Sequence, residues 1–296
     1  VADGDGVVVV IMQKIVLPAR ERSWAQFDDD LLVGFVVRAA DVAWARTAGE
    51  LFDAMGVGFP GSPLRRDAPF IDVLRFPATP YLRLVPAVGR ELDPVNGFVD
   101  RPPFTGTGFA ATPATTDPVP LWWLDPCRVP AGSELWRVHA DGREEVLAHY
   151  DHVASGWLPR PAGRIGSSDV VGVFATWNGQ QVLADALPNG RVVVASESPW
   201  DALRQTERGV WAGVVEPSDV ADLHALVVTG TWRGLAFQIV RRYLEGDTMT
   251  ARAVYLGRDA DEAERAGLEK TDAGVYELSA PFADFEDVVA RQLLAV

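Results

Sequence analysis

Ala175-Thr176-Trp177-Asn178-Gly179 is echoed by Gly230-Thr231-Trp232-Arg233-Gly234, and Gly209-Val210-Trp211 by Gly274-Val275-Tyr276. A third match joins Asp219, Val220 and Asp222 to Asp284, Phe285 and Asp287. Matched positions lie 55 residues apart at the first echo and 65 at the last, so the second copy carries a ten-residue insertion. Self-similarity at this period constrains architecture before anything else, because each copy has to be one supersecondary unit. It is silent on chemistry.

The first copy opens with Val170 to Trp177, a β-branched and aromatic run suited to a strand. Asn178-Gly179 then supplies the positive-φ pair of a tight hairpin. Gln181 to Leu187 is a second strand, Pro188-Asn189-Gly190 a turn, and Arg191 to Ala195 a third strand. The second copy repeats this in Ala225 to Trp232, Leu235 to Tyr243 and Thr248 to Leu256. Its next piece, from Asp259 to Gly267, reads as a short helix with Asp259 as N-cap and Gly267 as stop. Pro199 to Gln205, in the first copy, is too short for one. Both copies close on a strand, Val210 to Val215 and Val275 to Ala280. The expected unit is a small, strongly bent sheet of four or five strands that resembles an SH3-like barrel. Trp177, Trp232, Trp211 and Tyr276 recur at equivalent places. They could be paired ligand platforms, but a unit of this size needs large rings for its interior, so two equivalent cores are expected.

Ahead of the repeats the chain changes character. Met12 to Pro18 reads like a natural beginning, so Val1 to Ile11 is expected to lie outside the fold, the alternative being an edge strand in Val7 to Ile11. Asp28-Asp29-Asp30 precedes the buried-strand run Leu31 to Val37. Three adjacent carboxylates before a strand cannot all converge on a cation, so a solvated turn is expected. Asp41 reads as the cap of a helix from Val42 to Met55. Strands follow at Phe70 to Phe76 and Tyr81 to Val85. Residues 86–120 are rich in proline and glycine and read as an irregular loop. Gly106-Thr107-Gly108-Phe109-Ala110-Ala111 inside it matches a dinucleotide fingerprint, but neighbouring prolines deny it the required strand and helix. Ser133 to His139 and Glu144 to Tyr150 form a hairpin around Asp141-Gly142.

The predicted fold class is thus α+β, predominantly β. Residues 12–157 are an N-terminal α+β domain and residues 158–168 a linker. Residues 169–223 and 224–296 are the two β modules. The net charge is −14, with −5 up to residue 165 and −9 beyond it. That balance argues against nucleic acid and suits either solubility or a basic protein partner. No apolar run approaches a membrane span, and a cytoplasmic location is the default. Cys127 is the lone cysteine, so no intrachain disulfide forms. Arg128 beside it could lower the thiol pKa, but with no local partner a structural role is expected.

No nucleophile elbow, P-loop or paired-cysteine motif is present, and no cofactor or metal is expected. His149, Asp151 and His152 lie within four positions, but on a strand His149 and Asp151 share one face while His152 points away, so the cluster does not converge without a turn. Glu144-Glu145 and Leu135-Trp136-Arg137 resemble the acidic pair and arginine strand of ADP-ribosylating folds. They give the alternative reading: an enzyme of that kind, or a hydrolase, with its site in residues 86–152 and His139, Glu144, His149 and Asp151 as the candidate groups. The Trp-x-Gly turn followed by Gly-Val-Trp or Gly-Val-Tyr resembles uncharacterised actinobacterial proteins, and the sparse lysines fit a GC-rich genome. The resemblance implies proteins encoded near secreted toxins. The first reading is accordingly a non-catalytic protein-binding module, immunity-like or escorting.

Overall fold

The computed structural model describes residues 9–27, 30–58, 61–87, 90–93, 97–100, 109–110, 119–159, 168–187 and 189–295. The chain begins with β1 (Ile11–Val16), α1 (Pro18–Phe27), β2 (Leu31–Arg38), α2 (Ala48–Ala54), β3 (Phe70–Pro77) and β4 (Leu84–Pro86). The Pro-rich stretch then holds β5 (Arg90–Asp93) paired with β6 (Gly97–Asp100), and β7 (Phe109–Ala110) paired with β8 (Val119–Pro120). It is therefore not wholly irregular. Next come β9 (Trp122–Arg128), β10 (Ser133–His139), β11 (Glu144–Tyr150) and β12 (Trp157–Leu158). Eight of these strands form one sheet in the order β12-β11-β10-β3-β1-β2-β9-β4.

Alternation along β1 shows why this sheet is buried on both faces. Ile15 joins Leu51 of α2, Val73 and Val138 on one side. Met12 and Val16 join Trp24 of α1, Leu74, Phe76 and Tyr150 on the other. The sheet starts earlier than expected: Val10 accepts a hydrogen bond from the Ala78 amide and Ile11 pairs with Pro77. Residues 1–8 lie outside the described residues, as do most of the linker and most of the dinucleotide-like segment.

The single helix expected from Val42 to Met55 is instead a 3-10 turn, Ala39–Val42, followed by α2. Asp41 lies inside that turn, its carboxylate 2.9 Å from Arg38, and no helix starts directly after it. Thr47 caps in its place through a reciprocal box with Glu50. The T-x-x-E spacing was in the sequence and outcompetes Asp41.

The second sheet comprises β13 (Val171–Trp177), β14 (Gln180–Ala186), β15 (Val192–Ser196), β16 (Arg204–Gln205), β17 (Trp211–Val215), β18 (Val220–Trp232), β19 (Leu235–Glu245), β20 (Thr248–Tyr255), β21 (Glu269–Asp272), β22 (Val275–Pro281) and β23 (Glu286–Leu294). Between β20 and β21 lies α3 (Ala260–Arg265), capped by Asp259, which accepts from the Glu262 amide. All eleven strands share one sheet, and β18 runs unbroken across residues 223 and 224.

Geometry recurs at the offsets of the sequence echo. Asn178 and Gly179 have φ of 49° and 76°, and Arg233 and Gly234 have 48° and 79°, the double positive-φ pair of a two-residue hairpin. Thr176 pairs with Ala221, and Thr231 with Glu286. A register shift follows Phe174 in one ladder and Thr229 in the other. Asp222 and Asp287 both take positive φ, 51° and 49°. Strand order is shared too, since β17-β15-β14-β13-β18 matches β22-β20-β19-β18-β23. The aromatic rings separate into two interiors. Trp177 sits in one cluster with Trp200 and Trp211 against it, and Tyr276 sits in another with Phe237, Phe285 and Trp232.

Gly172 shows how closely the two sheets approach. Its φ is +112°, and a Cβ there would lie 2.6 Å from Arg128 Nη1. Gly190 has φ +82° but open space around it. Gly172→Ala is expected to cost about 3 kcal/mol, from backbone strain plus a clash with a buried side chain. Gly190→Ala should cost about 1–2 kcal/mol, from strain alone. Urea unfolding of the two variants checks the difference; equal costs would mean that the sheets do not abut at Arg128.

Candidate functional site

The two sheets meet through charges that have left water. Lys14 on β1 reaches Asp272 on β21 at 2.8 Å. Arg20 on α1 donates to Glu277 on β22 at 2.6 Å, and Arg252 on β20 donates to the other Glu277 oxygen. Arg128 on β9 donates from Nη2 to Asp185 and to the Ala184 carbonyl, at 2.9 and 2.6 Å. Asp30 accepts from Arg208 Nη2 and from the Tyr150 hydroxyl, both at 2.9 Å. The solvated turn expected at Asp28 to Asp30 is thus corrected at Asp30, which is buried; Asp28 and Asp29 lie outside the described residues. An apolar layer of Leu31, Val33, Trp123, Val171, Val240, Val254 and Val275 lies among these pairs.

Beside that layer opens a cleft of ≈ 200 Å³. Its walls come from the segment after β3, from β9, and from β13, β14, β18, β19 and β23. Leu82, Val173, Leu226 and Leu293 supply apolar surface, and Arg83, Asp125, Arg128, Asp185 and Arg291 supply charge. Burial raises the Asp125 carboxyl above its ordinary value, although Arg83 and Arg258 both pull against that. Arg128 carries its acceptors on Nη2, while Nε and Nη1 find none among the described residues. Cys127 also lines the cleft and donates to the Leu32 carbonyl at 3.5 Å. Burial and then Asp125 push its thiol well above the ordinary value, outweighing Arg128. It has no thiolate character at neutral pH.

The four candidate groups of the sequence lie elsewhere, on or beside the β10–β11 hairpin, and none of them lines the cleft. Glu144 accepts from both terminal nitrogens of Arg75, at 2.9 and 3.0 Å. His139 Nε2 lies 3.0 Å from Glu145. His149 is exposed on β11, opposite Glu134 at the other end of the ladder. Asp151 pairs with His152 at 3.2 Å. Glu144 and His149 stand five positions apart on one strand, roughly 17 Å at strand rise. The structure brings His139 close to Glu145, and Asp151 to His152, and does not bring the four together. Arg137, read as part of an arginine strand, is held by both Asp72 oxygens at 2.9 Å. Among the described residues no group of three or more His, Cys, Asp and Glu is placed to hold a metal ion.

A second feature is β23. Among the described residues it pairs only with β18, and all but one of its residues are exposed. Val288, Val289 and Leu294 carry apolar surface into solvent at 39%, 44% and 65% exposure. Nothing in the local sequence marked this strand as an edge; only its place in the sheet does. No helix among the described residues is long and apolar enough to cross a membrane. No family model, curated protein or solved structure matches the chain.

The junction charges generate two expectations. Asp30→Ala removes the carboxylate that Arg208 Nη2 and the Tyr150 hydroxyl share, and is expected to cost about 3–5 kcal/mol in urea unfolding. Asp30→Leu combined with Arg208→Met should restore most of that loss; a double variant no better than the single one would contradict the pairing. Burial by itself would raise the Glu277 carboxyl, but Arg20, Arg252 and Thr271 outweigh it and hold it below 4.5. Because the native value lies below the unfolded one, this contribution is complete above about pH 4.5 and is lost as pH falls through the native value. Glu277→Gln is therefore expected to flatten the fall in stability below that pH, read as urea midpoints along a pH series. A slope equal to that of the unsubstituted chain would overturn the assignment.

Proposed function

We propose that residues 169–223 and 224–296 are two copies of one β unit, SH3-like in strand order, and that the chain is a non-catalytic protein-binding protein. Support for the duplication comes from the shared pairings, the paired positive-φ residues and the common strand order. The observation that carries the binding role is the outer edge of β23. At the equivalent position of the first unit, the edge of β18 from His224 to Thr231 is filled by β23 itself. That pairing supports an antiparallel extended segment as the occupant of such an edge.

The occupant is an extended segment of a partner protein with net basic charge. Main-chain hydrogen bonds to β23 would supply affinity, and Val288 or Val289 would contact alternate side chains. Proteins blunt an edge they do not use with lysines, prolines or a covering element, and the β23 sequence Glu-Asp-Val-Val-Ala-Arg-Gln-Leu-Leu contains neither lysine nor proline. Asp284, Glu286 and Asp287 stand exposed at its start, and the whole chain is at −14, so charge favours a basic partner. An immunity-like or escort role toward a secreted toxin fits such a surface.

Short, extended, net-basic peptides are expected to include binders that slow amide exchange in β23. Ala290→Pro should abolish that binding while leaving the thermal midpoint close to that of the unsubstituted chain. Higher ionic strength should weaken it. Peptides that protect another segment instead, or that bind the Ala290→Pro variant equally well, would refute the reading.

A further inference from the structure

The cleft between the sheets departs from the charge balance of its own chain. Arg83, Arg128 and Arg291 line it against Asp125 and Asp185, one positive charge in excess, whereas the chain as a whole is at −14. Its charges are also unevenly quenched. Asp125 is shared between Arg83 at 3.2 Å and Arg258 at 3.5 Å. Asp185 serves Arg128 with one oxygen and the Val153 amide with the other. Arg291 is exposed, and among the described residues no carboxylate pairs with it. Among the described residues, two donors of Arg128 find no acceptor. A cleft with low-dielectric walls focuses such an excess, so its mouth attracts anions.

The walls restrict which anion. Leu82, Val171, Val173, Leu226, Leu256 and Leu293 make most of the surface apolar, and the volume is ≈ 200 Å³. An apolar cavity of about 150 Å³ holds a benzene ring. There is space for a short alkyl chain or one ring. An excess of one charge matches a monoanion, and a phosphate dianion would leave a negative charge uncompensated against apolar walls. We propose that this cleft binds a small organic monocarboxylate, its alkyl or aryl body among the leucines and valines and its carboxylate at the mouth between Arg83 and Arg291. Arg128 contributes from the floor as a fixed positive charge. Its own protonation is secure: burial works against the charge, but Asp185, Tyr150 and Asp30 outweigh it and raise the value. The outer edge of β23 takes no part, so this site stands or falls separately from the protein-binding role.

Calorimetric titration of the whole chain with butanoate, hexanoate and octanoate tests it, with 1-octanol and octylamine as controls. One carboxylate per chain is expected to bind, tightening about fourfold for each added methylene until the cleft is full. Arg83→Ala and Arg291→Ala lie at the exposed rim, Asp125 keeping Arg258 in the first, and each is expected to weaken octanoate at least about tenfold with the thermal midpoint read alongside. Octanol should bind more weakly than octanoate, and octylamine should not bind. Absence of octanoate binding at millimolar concentration would overturn the proposal. So would an affinity indifferent to chain length, equal binding of octanol, or binding unchanged in both arginine variants.

Discussion

Four ion pairs, withdrawn from solvent, tie the first sheet to the second: Lys14–Asp272, Arg20–Glu277, Arg128–Asp185 and Arg208–Asp30. A buried charge is tolerated only with its partner in place, so each pair demands one relative placement of the sheets. Apolar contact alone is non-directional and would accept many placements. The pairs are spread over β1, α1, β9 and the segment before β2 on one side. On the other side they engage β14, β21, β22 and the turn before β17. Satisfying all four together leaves little freedom to slide or rotate, and the cleft owes its shape to that restriction.

The second sheet depends on one strand in a comparable way. β18 pairs with β13 along its first half, with β19 along its second, and with β23 along its opposite edge. It is the strand at which the two matching halves of the strand order meet. Because its residues pair with strands on both sides of residues 223 and 224, the sheet cannot be divided there without breaking a ladder. The same construction leaves β23 with one edge filled and one edge unfilled among the described residues, and makes the side chains of Arg291 and Leu293 part of the cleft wall.

Local chemistry was the legible part of the sequence. Asn178-Gly179, Arg233-Gly234 and Asp141-Gly142 announce their turns through backbone freedom, and Asp259 announces a cap through its carboxylate. Such signals are complete within a few residues. Asp41 and Thr47 show where they compete: both are capping residues, and the choice fell to the one whose carboxylate partner at N3 answered back. The helix at Pro18 to Phe27 was missed because, among its described side chains, the buried ones are Arg20 and Trp24, a charge and a ring. The junction itself was illegible. Asp30 stands in an acidic triplet that reads as solvated, and Arg128 looks like any arginine beside a cysteine. Their partners, Arg208 and Asp185, are far away in sequence. The cleft was hidden for the same reason, since its lining runs from Thr79 to Leu293. The groups that looked chemical, His139, Glu144, His149 and Asp151, gather by sequence proximity on one hairpin, where alternation and strand length keep them apart.

Scanning calorimetry of the whole chain at neutral pH tests the central claim, that buried charge pairs lock the two sheets into a single cooperative structure. The account expects one transition whose calorimetric and van't Hoff enthalpies agree. Two resolved transitions, one for residues 9–159 and another for residues 168–295, would contradict it.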